Sequence, residues 1–187
     1  MALAILGLSA CRSLMPAPGL PWPERRAALQ AVADYDFSGR LAAANGAEGF
    51  SASVDWRQRG AESDLLLRAP LGVGGARLHY DGSRLQVTGA DGTLLDGEAA
   101  RNELVRRLGF EPPLASLRYW LLGVPDPATA AAETLDGAQR LQQLQQSDWQ
   151  VAYSDYRPTA GQWLPQRLAL QRGEWRLKLQ VSRWQIP

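Results

Sequence analysis

The sequence predicts a mainly β protein of the α+β class, built on one strongly curved antiparallel sheet of nine to eleven strands. Two observations predict the sheet. Apolar residues recur at every second position over many short segments, and glycine-containing turns separate these segments. A third observation, apolar residues at helical spacing in a few places, predicts two or three short helices inserted among the strands. A sheet this large tends to curl, and the inserted helices can cover its concave face.

The first half of the chain predicts one helix and then a run of strands. Pro23 at a first helical turn predicts a short helix over 23–33. In the second predicted strand Phe50, Val54 and Trp56 share the apolar phase, so one face of the sheet is apolar and the other is wetted. The strands predicted in this half are 37–44, 50–59, 63–68, 76–81, 84–89 and 93–95.

Helical signals interrupt the strands near the middle of the chain. Asp96 can cap a helix over 97–108, and a second helix is predicted over 114–122 after two prolines. The inward residues of the first of these helices are predicted to be Ala99, Leu104, Val105 and Leu108. A loop rich in alanine and proline follows, and strands are predicted to resume at 140–145, 148–155, 167–172 and 174–184. The apolar alternation slips at Arg183, which predicts a β-bulge near the end of the last strand.

Composition and motifs argue against several classes of function. The chain has 20 basic and 19 acidic residues, so its charge gives no case for nucleic-acid binding. His79 is the only histidine, and it lies in a strand pattern out of phase with the apolar residues. The sequence contains no nucleophile elbow, zinc-protease motif, P-loop or dinucleotide fingerprint. We therefore predict that the protein is not an enzyme and uses neither a metal nor a cofactor.

The only cysteine, Cys11, follows a short apolar run that ends in Leu8-Ser9-Ala10. This pattern is typical of a bacterial lipoprotein signal, in which the thiol is acylated and the preceding segment is removed. No lysine or arginine precedes the apolar run, which departs from the usual signal. We expect residues 1–10 to be a signal peptide, 11–23 a lipidated proline-rich tether, and 24–187 a single domain. The run is far shorter than the ~20 residues that a membrane-spanning helix needs.

The segment from Ala69 to Gly75 contains one proline and three glycines, which predicts a turn between two strands. Leu71 and Val73 are therefore apolar side chains in a segment expected at the surface. Exposed leucines are common and usually carry no function. On a protein tethered to a membrane, however, a protruding leucine can enter lipid.

Taken in order along the chain, several motifs together resemble the LolB family of outer-membrane lipoprotein receptors, over essentially the whole sequence. No single motif is specific, and the resemblance rests on their order and spacing. The motifs are Leu8 to Cys11, Phe37-Ser38-Gly39-Arg40-Leu41, Trp56, Pro70-Leu71-Gly72, the set Pro113, Leu114, Leu117, Trp120, Leu121, Gly123 and Pro125, Trp149-Gln150-Val151-Ala152-Tyr153, Leu164-Pro165 and Trp184.

The resemblance implies an incomplete antiparallel barrel with helices as a lid over an apolar cavity. It implies a monomer, anchored through Cys11 to the periplasmic face of the outer membrane. Such a protein would accept the acyl chains of lipoproteins from the periplasmic carrier LolA and insert them into outer-membrane lipid. It also implies that Leu71 contacts the membrane. From the apolar phase of the strands we predict that Trp56, Leu67, Trp149 and Val151 line the cavity.

Two alternatives stay open at the level of sequence. One is a lipid-anchored envelope enzyme or remodelling factor with a carboxylate pair in the cleft, since acidic residues are scattered at turns and strand edges. It predicts two or three convergent ionisable groups in the concavity. The other is a purely structural envelope lipoprotein, which predicts a filled sheet interior without a cavity.

Overall fold

The computed structural model describes residues 20–46, 48–70, 74–108 and 110–186. Within them the dominant element is one antiparallel sheet of eleven strands, which confirms the predicted fold class. The strands are β1 (Asp34–Asn45), β2 (Glu48–Arg59), β3 (Glu62–Arg68), β4 (Gly75–Tyr80), β5 (Leu85–Gly89), β6 (Leu94–Asp96), β7 (Ala132–Leu135), β8 (Leu141–Gln146), β9 (Trp149–Thr159), β10 (Gln162–Arg172) and β11 (Trp175–Gln185).

The strand order shows how the chain builds an open sheet from two meanders. Strands β1 to β6 pair in sequence, strands β7 to β11 pair in sequence, and β1 pairs with β11 to join the two halves. Strands β6 and β7 are the two edges, so the sheet is not closed into a barrel. One half of its inner face is thus formed by β1–β6 and the other by β7–β11.

In the part of the chain that the structure describes, three helices accompany the sheet: α1 (Trp22–Gln30), α2 (Gly97–Leu108) and α3 (Leu114–Trp120). Their positions confirm the predicted helices, although α1 and α3 end a few residues early. The predicted inward face of α2 needs correction, because Ala99 and Val105 are exposed while Ala100 and Leu104 are buried. Helix α2 packs mainly against β5 and β6, so it buries a narrow stripe at a spacing of four residues. No helix in the described part of the chain is long and apolar enough to cross a membrane.

The chain also forms one strand that sequence patterning does not indicate. Strand β7 lies in the segment predicted to be an Ala- and Pro-rich loop, and it pairs with β8 at the edge of the sheet. It has four residues and a register shift after Thr134, so no period-two signal emerges from its sequence.

The predicted bulge in the last strand is present. Ser38 pairs with Arg183 and Gly39 pairs with Val181, so Ser182 is the extra residue in β11. The bulge brings Trp184 back into the buried phase, where its ring packs against Phe37 at a centroid distance of 5.2 Å. Only glycine fits at position 39, because a side chain there would meet the backbone of β11.

The concave side of β7–β11 is filled by packed side chains. Trp120 from α3 is fully buried and packs against Trp149 from β9. Fully buried aliphatic side chains from the segment after α3 and from the strands complete this part of the core: Leu122, Val124, Leu141, Leu144, Val151 and Leu164. This half of the sheet therefore encloses a packed core around Trp120 and Trp149.

Gln146 joins α3 and the following segment to β8 through four hydrogen bonds. Its side-chain oxygen accepts from Trp120 Nε1 (2.8 Å) and from the backbone N–H of Asp126 (2.9 Å). Its side-chain nitrogen donates to the carbonyl oxygens of Asp126 and Thr129, both at 2.8 Å. The Gln146 side chain is only 2% exposed. Removing its amide would therefore leave each of the four partner atoms without its hydrogen bond to Gln146.

We expect Gln146→Ala to lower the free energy of unfolding by about 3 kcal/mol or more, because it leaves buried donors and acceptors without partners. Urea unfolding followed by tryptophan fluorescence measures the loss. Gln145→Ala is the matched control, since Gln145 is the exposed neighbour on the same strand. Equal effects of the two substitutions would show that the buried network contributes no stability.

Candidate functional site

An apolar groove of about 680 Å³ lies between the inner face of β2–β6 and helix α2. This volume is within the roughly 300–1,000 Å³ typical of small-molecule sites. The groove is open to solvent on one side, so it differs from a packed core. Its apolar lining consists of Phe50, Ala52, Leu67, Ala76, Leu78, Val87, Leu95, Leu104 and Leu108.

The strand register explains why a groove forms at this place. Leu67, Ala76 and Gly89 lie opposite one another on β3, β4 and β5, so two of the three positions carry small or no side chains. The next inward row contains Leu78 and Val87, which are buried. Space is therefore left above the row of small residues, and α2 forms the other wall of that space.

The groove opens at one end of the sheet, beside the turn between β3 and β4. Ala69, Pro70 and Gly75, which flank that turn, all line it. Phe50 also stands at this end and is 40% exposed, although it lies in the inward phase of β2. The opening is therefore apolar and accessible. Leu71, the residue predicted to contact the membrane, lies outside the described residues, as does Cys11.

Two carboxylates line the groove, and both already have partners. Asp91 accepts hydrogen bonds from the backbone N–H and the hydroxyl of Thr93, at 3.0 and 2.8 Å. Glu103 forms an ion pair with Arg106 at 2.7 Å. Among the described residues no cluster of His, Cys, Asp or Glu could hold a metal ion. The groove is therefore suited to burying hydrocarbon. Its geometry does not support the alternative of an envelope enzyme with a carboxylate pair in the cleft.

Polar contacts outside the groove attach α2 to the sheet. Arg84 donates a hydrogen bond to Asp96 at 2.6 Å, and this bond is the main reason that the pKa of Asp96 is below its ordinary value. The carboxylate therefore stays ionised near neutral pH at the junction of β6 and α2. Arg101 on α2 donates to the carbonyl oxygen of Ser83 and pairs with Glu111 at 3.0 Å.

Of the four side chains predicted to line the cavity, Leu67 lies on the groove. Trp56 is buried, stacks on Phe37 and donates to Gln58 Oε1 at 3.0 Å. Trp149 and Val151 lie in the packed half under β9 and are 2% and 1% exposed. These three positions are filled because aromatic rings, α3 and the segment after it occupy the concave side there.

The remaining groove residues were not predicted as lining. Leu78 and Val87 share the inward phase of Leu67 across the register, and Leu104 and Leu108 were predicted only as the inward face of a helix. The alternation in β2 places Phe50 in the apolar phase but does not identify it as part of a cavity. The available signal was the pair of small residues, Ala76 and Gly89, at inward positions of neighbouring strands.

An open antiparallel sheet whose inner face and one helix enclose an accessible apolar groove defines a protein with a half-barrel fold. A solved structure of a LolA superfamily protein from Nitrosomonas europaea is similar, with a TM-score of 0.60 over 90% of this chain and 94% of that one. A DUF1329 family protein from Desulfovibrio piger gives a TM-score of 0.58, with 88% and 90% covered. Sequence identities are 8% and 10%, so these likenesses concern the fold.

Sequence comparison gives the family. The family "Outer membrane lipoprotein LolB" matches residues 33–184. The chain is 34% identical to the outer-membrane lipoprotein LolB of Nitrosococcus oceani and 35% identical to that of Alkalilimnicola ehrlichii. Each comparison covers 98% of this chain and 94% of the relative. The chain belongs to the LolB family and is an outer-membrane lipoprotein. This membership agrees with the prediction that it is not an enzyme.

Proposed function

We propose that the protein receives acylated lipoproteins from the periplasmic carrier LolA in its apolar groove and inserts them into the outer membrane. The observation that carries the proposal is the open groove of about 680 Å³ between β2–β6 and α2. The other half of the same concave face, under β7–β11, is packed, so the groove is an opening in an otherwise filled concave face. A purely structural lipoprotein would need no such opening.

The physics of the cargo explains why such a groove is needed. Burial of each acyl CH₂ contributes about 0.8 kcal/mol of favourable free energy. Exposing a multi-acyl anchor to water therefore costs tens of kcal/mol of free energy, on the order of that value times the number of CH₂ groups. A protein that transfers the anchor must therefore offer apolar surface throughout the transfer. No nucleotide or catalysis is required if each acceptor holds the chains better than the previous one.

The proposal includes a lipid anchor at Cys11 and a monomeric domain. Two or more acyl chains hold a protein stably on a membrane, whereas a single myristoyl chain gives only marginal binding. An anchored acceptor stays at the membrane to which cargo is delivered. The segment between Cys11 and α1, which contains three prolines, would allow the domain to stand away from the bilayer.

Transfer of a purified acylated lipoprotein tests the proposal. The donor is a LolA-type carrier loaded with the cargo, and the acceptor is this protein in solution without lipid. We expect the acylated cargo to move to the acceptor and an unacylated version of the same cargo to remain free. Failure of the acylated cargo to leave the donor would contradict the proposed receptor function.

Leu71 is proposed to contact lipid during the delivery step. Leu71→Glu is expected to slow transfer from this protein to liposomes, because a charged side chain resists entry into the acyl region. It should leave transfer from the donor to this protein intact, since the cargo is received in the groove. A two-stage assay measures the steps separately. Leu71→Met, which keeps an apolar side chain, is the control and should deliver normally.

If Leu71→Glu delivers cargo to liposomes at the wild-type rate, the β3–β4 turn does not take part in delivery. The thermal unfolding midpoint of the variant shows whether Leu71 instead contributes to the core. Surface changes usually alter stability by no more than about 0.5 kcal/mol, so a large fall in the midpoint would show that Leu71 is a core residue.

A further inference from the structure

We propose that the outer face of the sheet around β1, β10 and β11 binds the phosphate groups of anionic phospholipids at the membrane surface. The binding surface, called the basic trough below, consists of Arg40, Arg167, Arg176 and Lys178 around a floor of small residues. It lies on the face opposite the apolar groove. The proposal concerns how the domain is held against the bilayer and does not require the groove to bind cargo.

The register places these cations together. Arg40 on β1 lies opposite Gln180 on β11, which lies opposite Arg167 on β10. Lys178 and Arg176 follow on β11 at the next two positions of the same face. All four cationic side chains are exposed. Successive outward positions on neighbouring strands thus form a compact group of positive charge.

The shape of this face provides room for headgroups. Two adjoining clefts of about 460 and 440 Å³ lie along it, and they share Ala152, Ala169 and Lys178. Ala42 and Ser51 continue the floor of the first cleft toward β2. Alanine and serine leave a shallow floor in the first cleft, so a phosphate group can reach the guanidinium and ammonium groups at its sides. The lining of the second cleft includes several glutamine side chains, and its one carboxylate among the described residues, Glu133, is paired with Arg26.

Three of the four cations of the trough have no carboxylate partner among the described residues. No carboxylate of the described residues lies within 4 Å of Arg40, Arg176 or Lys178. Arg167 has one carboxylate oxygen, on Asp155, at 3.9 Å. Elsewhere on the same outer face, by contrast, basic side chains are paired with carboxylates: Arg59 with Asp36, Arg68 with Asp55 and His79 with Asp64. Charge complementarity therefore favours an anionic occupant.

The position of the trough favours a membrane surface over an acidic protein. Arg68 ends β3 and pairs with Ser53, which lies opposite Arg40. The cations therefore begin level with the start of the β3–β4 turn and continue toward the same end of the sheet. That end carries the opening of the groove and the residues proposed to meet lipid. Attraction to an anionic leaflet is effective only within about a Debye length, ~10 Å, so cations at this end are suitably placed.

Vesicle binding of the full-length chain carrying Cys11→Ser tests the proposal without an anchor or cargo. The vesicles contain equal parts of phosphatidylglycerol and phosphatidylcholine, or phosphatidylcholine alone. We expect binding to the anionic vesicles only, weakening as salt is added. Replacing Arg40, Arg176 and Lys178 together with glutamine should reduce partitioning roughly 100-fold at low ionic strength, since each cation near an anionic surface contributes about fivefold.

The matched control replaces Arg57, Arg77 and Arg183 with glutamine. These residues are exposed on the same outer face, and the net charge changes by the same amount. The control should bind anionic vesicles nearly as well as the wild type. Equal losses in both variants would show that net charge alone drives binding and would overturn the proposal. Binding to polyglutamate without binding to anionic vesicles would also overturn it and would indicate an acidic protein partner. Since no cargo is present, neither outcome bears on lipoprotein transfer.

Discussion

Phe50→Glu is expected to prevent this protein from accepting acylated cargo while leaving the domain folded. Phe50 lines the groove at its open end and is 40% exposed. A carboxylate there would have to be desolvated beside hydrocarbon, at a cost of about 2–3 kcal/mol on the scale of charges placed among acyl chains. That cost corresponds to a roughly 30- to 150-fold loss of acceptance from the donor carrier.

The controls separate a groove effect from a general effect of added charge. Val105 is exposed to a similar extent, 42%, and is not among the groove-lining residues, so Val105→Glu should accept cargo normally. Phe50→Leu keeps the opening apolar and should also retain acceptance. If Phe50→Glu accepts cargo as well as Val105→Glu does, acyl chains do not enter at this end of the groove.

Cys11→Ser is expected to abolish membrane anchoring altogether. The hydroxyl does not replace the thiol as the acylation site, so the protein should partition into the aqueous phase in a detergent phase-separation assay. Its domain should still fold, because the core cluster begins at Trp22 and ends at Trp184. Thermal unfolding of the variant should therefore match that of the detergent-solubilised wild type.

Ser13→Ala provides the control for Cys11→Ser, since it changes a hydroxyl residue near the proposed lipidation site and should leave the protein membrane-bound. Blocking signal processing in cells should also leave an unprocessed precursor of the wild type. Membrane partitioning of Cys11→Ser equal to that of the wild type would show that the anchor is elsewhere.

Much of the sheet could be predicted because its signals are local. The alternation in β2 and β11 and the slip at Arg183 are readable from neighbouring residues, and the bulge at Ser182 follows from that slip. Strand β7 could not be predicted, since its four residues are fixed by pairing with β8 at the sheet edge. The exposure of Val105 likewise depends on which side of α2 packs against β5 and β6.

The location of the groove was less predictable than the sheet. Leu67 and Val151 have the same alternation in sequence, yet one lines the groove and the other is buried in a solid core. The difference is made by α3 and the segment after it, which fill one half of the concavity with Trp120 and its neighbours. Packing between elements that are distant in sequence cannot be predicted from the alternation of residues within a single strand.

Site-specific photo-cross-linking tests the role of the groove most directly. A photoreactive phenylalanine analogue is introduced at Phe50 in one variant and at Val105 in another, and a LolA-type carrier supplies the acylated lipoprotein. We expect cargo to cross-link at position 50 after transfer, to be lost from that position when liposomes are added, and not to cross-link at position 105. Equal cross-linking at the two positions, or cross-linking of unacylated cargo at position 50, would contradict an acyl-binding groove.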